Sequence, residues 1–188
     1  MARVDTPPSP AHTSEPPVIA PDDKDWTWVV ERRCPECGFS ASDVPAEAVA
    51  GTVRDLVPRW VAALHRDDVR ARPASTTWST LEYGAHVRDV MRVFGERVQL
   101  MLDEDDPLFA NWDQDATAVE DRYDLQDPQV VAGELAAAAE TTAERFDGVA
   151  PHAWERPGRR SNGSRFTVRT LGQYFLHDVV HHLHDVRA

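Results

Sequence analysis

The C-terminal segment contains the densest chemical signal in the sequence, four histidines between His177 and His184. His177 and His181 are four residues apart, so on a helix both imidazoles lie on one face and could bind the same ion. Two ligands hold a metal ion weakly, and His86 is our candidate for the third. Three neutral imidazoles with one open position suit zinc, although nickel, iron and cobalt also bind imidazole.

Nearby side chains could support such a site. Asp89 follows His86 by three residues, Asp178 follows His177 directly, and carboxylates often orient ligand imidazoles. Asp89 could instead pair with neighbouring arginines at the surface. His184 is seven residues after His177 and shares its helix face, so it could be an alternate ligand or a supporting residue.

The same residues also allow an interpretation without a metal ion. A histidine-rich helix end can be solvated, where imidazolium suits the helix dipole. His182 lies roughly 100° around the helix from His181, so we expect it to pair with Asp178 or to face solvent. A single buried histidine such as His86 is more often a core residue than a ligand.

The two cysteines of the chain, Cys34 and Cys37, lie in one Cys-Pro-Glu-Cys-Gly segment. This is half of a zinc knuckle, and a structural zinc ion needs four ligands. His65 or a C-terminal histidine could complete the set, which makes the pair a candidate second metal or thiol site. The interpretation that we favour is two free thiols in a packed N-terminal extension.

Two charged segments have compositions that could bind a ligand. Arg160 and Arg165 belong to a basic stretch before the last helix and could receive a carboxylate or another anionic group of a substrate. They could equally offset neighbouring acids. The acidic segment 111–121 lacks the glycine and terminal glutamate spacing of an EF-hand loop, so we predict a solvated loop there.

Two helices are predicted in the first half of the chain. Apolar residues recur at spacings of three and four across 45–65, where Pro58 should kink or split the helix. The second helix begins at a capping box formed by Ser79 and Glu82 and ends in the acidic run 103–107.

Two more helices follow a long acidic connection. One begins at Asp127, with Pro128 at its first helical position, and the last begins near Thr167. Between the helices no segment alternates as a strand would. The predicted fold class is therefore all-α, a four-helix bundle with its site between facing helices.

The chain divides into three predicted parts. Residues 1–25 form a proline-rich tail expected to be disordered, 26–44 form an irregular extension, and 45–188 form the bundle. The net charge of −12 argues against nucleic acid and against an anionic membrane surface as partners. There is no apolar run of membrane-spanning length and no signal-peptide pattern, so we expect a cytoplasmic protein.

Two segments carry a resemblance to a known family. WSTLEYGAHVRD at 78–89 resembles the first ligand helix of the DinB-like superfamily, and HDVVHH at 177–182 resembles its last-helix His-x-x-x-His. The resemblance covers about 45–186. It implies a four-helix bundle with one divalent metal ion, zinc before nickel, iron or cobalt, held by His86, His177 and His181.

The family also suggests chemistry. Its members include thiol-dependent S-transferases and mycothiol-dependent isomerases, so the resemblance implies a metal-dependent transferase or hydrolase that acts on a small molecule. A metal-bound water or a thiolate would be the reactive group. Mycothiol becomes the expected thiol because the arginine bias indicates a GC-rich source. A non-catalytic metal-binding or stress-response module is the alternative, and a homodimer is left open.

Overall fold

The computed structural model describes Ile19 and residues 25–188. The predicted tail at 1–25 therefore lies almost entirely outside the described residues. Within these residues there are five α-helices, and their bounds are α1 Val49–Leu64, α2 Thr80–Asp103, α3 Gln114–Glu120, α4 Pro128–Asp147 and α5 Val168–Asp185. The four long helices match the four predicted segments, and the predicted fold class is confirmed.

Local sequence signals explain where the long helices begin. The Ser79 hydroxyl accepts a hydrogen bond from the Glu82 backbone N–H, while the Glu82 carboxylate accepts one from the Ser79 N–H at 2.8 Å. Asp127 caps α4 through the N–H groups of Gln129 and Val130. These bonds satisfy donors that have no partner within the helix. The predicted helix starts are therefore confirmed.

Helix α1 continues through Pro58 and is not split there. A proline inside a helix removes one hydrogen bond and leaves a carbonyl without its usual donor. Pro58 is exposed, so water can solvate that carbonyl. A turn of 3-10 helix at Ala46–Ala48 precedes α1, which accounts for the earlier predicted start at residue 45.

A small sheet joins the connections at one end of the bundle. Strands β1 Leu108–Phe109 and β2 Pro157–Arg160 are parallel, and β3 Arg165–Thr167 is antiparallel to β2. The sequence predicts no strand here, because strands of two to four residues are too short to show alternation. The sheet fixes the loop that precedes α5, and with it the position of Arg160.

The core lies between the long helices. Helix α2 packs along α4 and α5, and α1 packs against α4. Aromatic side chains fill the interior, and Phe175 stacks near both Phe94 and Phe146 at ring-centroid distances of 5.5 and 6.0 Å. Among the described residues, no helix is long and apolar enough to cross a membrane.

The N-terminal extension lies against α5. It contains 3-10 turns at Thr27–Val30 and Ala41–Asp43, between which Cys34 is fully buried. The Gln173 side chain, on α5, donates hydrogen bonds to the carbonyls of Ala41 and Val44 at 2.9 and 3.0 Å. The extension therefore brings Cys34 to the helix that carries the histidines.

Candidate metal centre

Helices α2 and α5 bring His86, Asp178 and His182 together. One potential ligand atom from each lies within 4.8 Å of the others. Nε2 of His86 is 3.4 Å from Oδ1 of Asp178, and Nε2 of His182 is 3.7 Å from the same oxygen. Asp178 and His182 are four residues apart, so both side chains leave α5 on the face that meets His86.

The His86 imidazole is enclosed by aromatic rings. It is fully buried, it lies parallel to the Trp112 ring at a centroid distance of 5.4 Å, and the Trp78 ring is 5.3 Å away. Neither ring nitrogen has a hydrogen-bond partner among the described residues. Burial lowers the pKa of His86 despite the opposing charge of Asp178, so the imidazole is neutral at physiological pH.

Asp178 supplies an anionic oxygen at the centre of this group. Burial alone would raise its pKa, but the neighbouring imidazoles of His86 and His182 bring it down to about 2. Its Oδ1 is buried, and the 3.4 Å contact with His86 lacks the geometry of a hydrogen bond. An ionised oxygen that faces two imidazoles without such a bond is arranged as a cation ligand would be.

Asp185 orients His182. Its Oδ2 is 2.8 Å from Nδ1 of His182, and an ionised carboxylate can only accept, so Nδ1 carries the proton and donates. The pKa of Asp185 is lowered by His182 against the effect of burial, which is consistent with an ionised acceptor. Nε2 of His182 is then the unprotonated nitrogen, and it faces Asp178.

A second group lies beside the first. Cys34, Cys37, His177 and His181 also offer ligand atoms that all lie within 4.8 Å of one another. Sγ of Cys34 is 3.8 Å from Nδ1 of His181. Burial lowers the pKa of His177 to about 4 and raises that of the Cys37 thiol to about 11. Without a metal ion, the histidine is neutral and the thiol is protonated at physiological pH.

The structure divides the predicted three-histidine set between these two groups. His177 and His181 lie with the cysteines, whereas His86 lies with Asp178 and His182. Two pairs of four-residue spacing overlap in α5, displaced by one residue and therefore by about 100° around the helix. Spacing alone could not show which pair faces α2. Asp178, predicted to orient an imidazole, lies in the group with His86 and His182, and His182 was predicted only to pair with Asp178 or to face solvent.

Asp89 and His184, the other predicted supporting residues, belong to neither group of possible ligands. Asp89 accepts hydrogen bonds from Arg88, Arg92 and Tyr123, the last at 2.6 Å, so it pairs with the expected arginines but in a buried position. The His184 side chain is 55% exposed and belongs to neither group. Its ring centroid is 6.3 Å from that of His181, so it borders the second group without belonging to it.

The two arginines differ in position. Arg160 lines a cavity of about 780 Å³, where it donates hydrogen bonds to Asn162 and Ser164. Arg165 is exposed on β3 and is not among the lining residues.

One side of the site opens into the 780 Å³ cavity. Asp178 and His182 line it, together with His177, His181 and residues 111–115 of the acidic connection. Its size is within the range of small-molecule sites. The described lining side chains include six acids and a single arginine; the acids are Asp25, Glu36, Asp113, Asp115, Asp178 and Asp185. This charge balance favours a bound cation.

The residues present fit a divalent metal ion. Buried nitrogens of His86 and an oxygen of Asp178 lack hydrogen-bond partners among the described residues. One potential ligand atom from each of the three side chains lies within 4.8 Å of the others. Two neutral imidazoles with one carboxylate form a donor set that binds catalytic zinc and non-haem iron. The second group offers the two sulfurs and two nitrogens of a structural zinc site.

Comparison with known proteins agrees with this fold. The structure resembles that of YfiT from Bacillus subtilis, a probable metal-dependent hydrolase with an unusual four-helix bundle topology, with a TM-score of 0.66 and 16% sequence identity. The match covers 74% of this chain and 82% of YfiT. No curated protein matches the chain. The family model of the DinB superfamily matches residues 13–186, so the predicted resemblance is confirmed and the chain belongs to the DinB superfamily.

Proposed function

We propose that this protein is a metal-dependent enzyme that acts on a small polar molecule, with His86, Asp178 and His182 as the ligands. The observation that supports this proposal is that the three side chains converge beside a cavity of about 780 Å³. Three protein ligands leave a divalent ion an open position, which is the arrangement of catalytic sites. A bound ion would polarise a substrate oxygen or lower the pKa of water or of a thiol.

The surrounding side chains prepare the ligands for this role. Burial keeps the His86 imidazole neutral, and Asp185 holds the proton of His182 on Nδ1, so that Nε2 of His182 is unprotonated. The Trp112 ring covers His86 and keeps bulk water from that side. The orientation of each imidazole is thus set by the protein before an ion or substrate arrives.

The cavity wall indicates what kind of substrate fits. Arg160 is the basic residue among the described lining side chains, and its guanidinium lies 5.8 Å from the centroid of the Tyr174 ring. It could bind one anionic group, such as a carboxylate. The six lining acids disfavour a polyanion. We therefore propose a small polar substrate with at most one anionic group.

Hydrolysis and thiol transfer would both use this site. The structural likeness to YfiT supports hydrolysis as the first candidate. Family resemblance supports transfer to or from a low-molecular-weight thiol such as mycothiol, and zinc is the first candidate metal for either reaction. A non-catalytic metal-binding module would not require an open cavity beside its three ligands, so the cavity favours the enzyme over this alternative.

The test combines catalysis with thiol binding. Protein loaded with zinc is assayed on a panel of small esters and amides and for conjugation of mycothiol. We expect the zinc-loaded wild-type protein to turn over a substrate. A chelator should abolish this turnover, added zinc should restore it, and Asp178→Asn should lack it. His184→Ala is the matched control, because His184 is exposed and belongs to neither ligand group.

A spectroscopic measurement separates the two reactions. Mycothiol is added to cobalt-loaded wild-type protein and to His86→Ala, and the thiol-dependent difference spectrum is recorded. A difference that occurs only in the wild-type protein supports thiol transfer at this centre. Turnover without such a difference supports hydrolysis. If protein with stoichiometric metal shows neither turnover nor a thiol-dependent difference spectrum, the enzyme proposal is wrong and the non-catalytic module is favoured.

A further inference from the structure

A four-donor group joins the N-terminal extension to α5. Cys34 and Cys37 come from the extension, His177 and His181 come from the helix, and their ligand atoms lie within 4.8 Å of one another. Two cysteines and two histidines are a donor set of structural zinc. We infer that these four residues form a closed zinc site, distinct from the open centre at His86, which fastens the extension to the bundle.

Backbone hydrogen bonds close a tight turn around the two cysteines. The Cys34 N–H donates to the Phe39 carbonyl at 2.8 Å, and the Gly38 N–H donates to the Cys34 carbonyl at 3.0 Å. Gly38 has φ +77°, a conformation that a residue with a side chain rarely adopts. The turn holds Cys34 and Cys37 close together, and both are free thiols in the structure.

Each of the two histidines offers one ring nitrogen to this group of four donors. His177 is 3% exposed, and its Nε2 is buried without a hydrogen-bond partner among the described residues. Nε2 of His181 lies 3.6 Å from Glu36 and 3.9 Å from Asp185, so a proton is favoured there. The lone pair of His181 is then on Nδ1, which is the atom 3.8 Å from the sulfur of Cys34.

Charge and enclosure point to a structural role. A zinc ion with two thiolates and two neutral imidazoles carries no net charge, so its burial avoids the cost of an unpaired ion. The Trp26 ring lies 4.9 Å from the His181 ring, and the Phe39 ring lies 5.8 Å from that of His177. Four protein ligands leave no open position, in contrast to the three at the neighbouring centre.

Zinc stoichiometry and cobalt spectra test this assignment in the full-length protein under reducing conditions. For the wild-type chain we expect about two zinc ions, and for Cys34→Ser/Cys37→Ser or His86→Ala about one each, because each variant removes one site. Cobalt-loaded wild-type protein and His86→Ala should show intense thiolate-to-cobalt charge-transfer absorption, which the double cysteine variant should lack. His184→Ala should match the wild-type protein in both measurements.

A second measurement avoids dependence on folding of the cysteine variant. A thiol reagent is applied to zinc-loaded wild-type protein with and without a chelator. We expect both cysteines to be protected with zinc and to react after chelation. Equal reaction rates in the two conditions would overturn the inference, as would cobalt-loaded protein without thiolate absorption.

The results also distinguish this site from the proposed catalytic centre. If His86→Ala keeps the full wild-type zinc content together with the cobalt–thiolate absorption, the cysteine site stands and the catalytic centre does not. If only the double cysteine variant keeps the full zinc content, the cysteine site is overturned and the proposed function is unaffected.

Discussion

Asp185 lies 2.8 Å from Nδ1 of His182, with its other oxygen 3.9 Å from Nε2 of His181. One carboxylate therefore faces the outer nitrogens of two adjacent histidines that belong to different ligand groups. Because α5 turns about 100° per residue, His181 and His182 point in different directions. Asp185 follows them by four and three residues, about one helical turn, so its carboxylate can orient both imidazoles. Asp185 is thus a positioning residue for two possible metal sites.

The first prediction concerns Asp185. In Asp185→Asn the carboxylate that fixes the tautomer of His182 is lost, so we expect metal affinity at the open centre to fall by about 10–100-fold. Competition with a chelator of known affinity measures the change. Asp55→Asn, at an exposed position on α1, is the control. Equal affinities for Asp185→Asn and the wild-type protein would show that the carboxylate does not orient a ligand.

The second prediction separates a ligand from a structural acid. Asp178→Asn should remove one equivalent of metal and leave the cobalt–thiolate absorption in place. Asp89→Asn should keep the full metal content, because Asp89 binds Arg88 and the Tyr123 hydroxyl rather than a histidine. Disrupting that buried ion pair should instead lower the free energy of unfolding by roughly 3–5 kcal/mol.

Chemical denaturation with elemental analysis distinguishes the two variants. Asp178 and Asp89 are both acids on helices that meet at His86, so the pair is well matched for position. Metal loss in Asp89→Asn without a change in stability would assign to Asp89 the imidazole-orienting role that sequence spacing allowed.

Sequence reasoning succeeded where the signal was local. The capping box at Ser79 and the proline after Asp127 are side-chain devices that act within one helical turn, and both begin their helices as predicted. The apolar period within each helix also reflects local geometry. These features therefore predicted the bundle without knowledge of how its helices pack.

The division of ligands depends on tertiary structure. The pairs 177/181 and 178/182 have the same spacing, and only the rotation of α5 against α2 decides which of them meets His86. The Cys34–Cys37 turn reaches α5 across 140 residues of sequence, which no local pattern indicates. The small sheet was missed for a related reason, since its two- to four-residue strands are defined by their partners.

The third prediction concerns acid stability. Burial alone would raise the pKa of Glu82, but Arg72 and the Ser79 N–H and hydroxyl hold it below its ordinary value of 4.5. Since the pKa is lower in the folded state, this carboxylate contributes stability above the unfolded-state pKa. The contribution is lost as the pH falls through the folded-state pKa. Acid should therefore weaken the start of α2.

Glu82→Gln tests this effect in metal-free protein, where histidine ligands do not complicate the titration. We expect a loss of about 1–3 kcal/mol at neutral pH, since a charged hydrogen-bonded partner of Arg72 is removed. The difference from the wild-type protein should shrink below pH 4.5. Glu47→Gln, at an exposed position, is the control. A difference independent of pH would contradict a role for the Glu82 charge.

The fourth prediction concerns the close approach of α2 to α1. A Cβ added at Gly84 would lie 2.6 Å from a methyl carbon of Leu64, which is itself buried and 2% exposed. Gly84→Ala should therefore destabilise the bundle by about 1–3 kcal/mol, because the helices must separate or Leu64 must leave its rotamer. At Gly133, on the exposed face of α4, an added Cβ would have no neighbour within 4 Å in the part of the chain that the structure describes. Gly133→Ala should instead stabilise by up to about 1 kcal/mol through helix propensity. Urea denaturation measures the change in the free energy of unfolding for each variant. A decrease for Gly84→Ala with an increase for Gly133→Ala would support the close α1–α2 contact at Gly84. Equal stabilisation by both variants would contradict that contact.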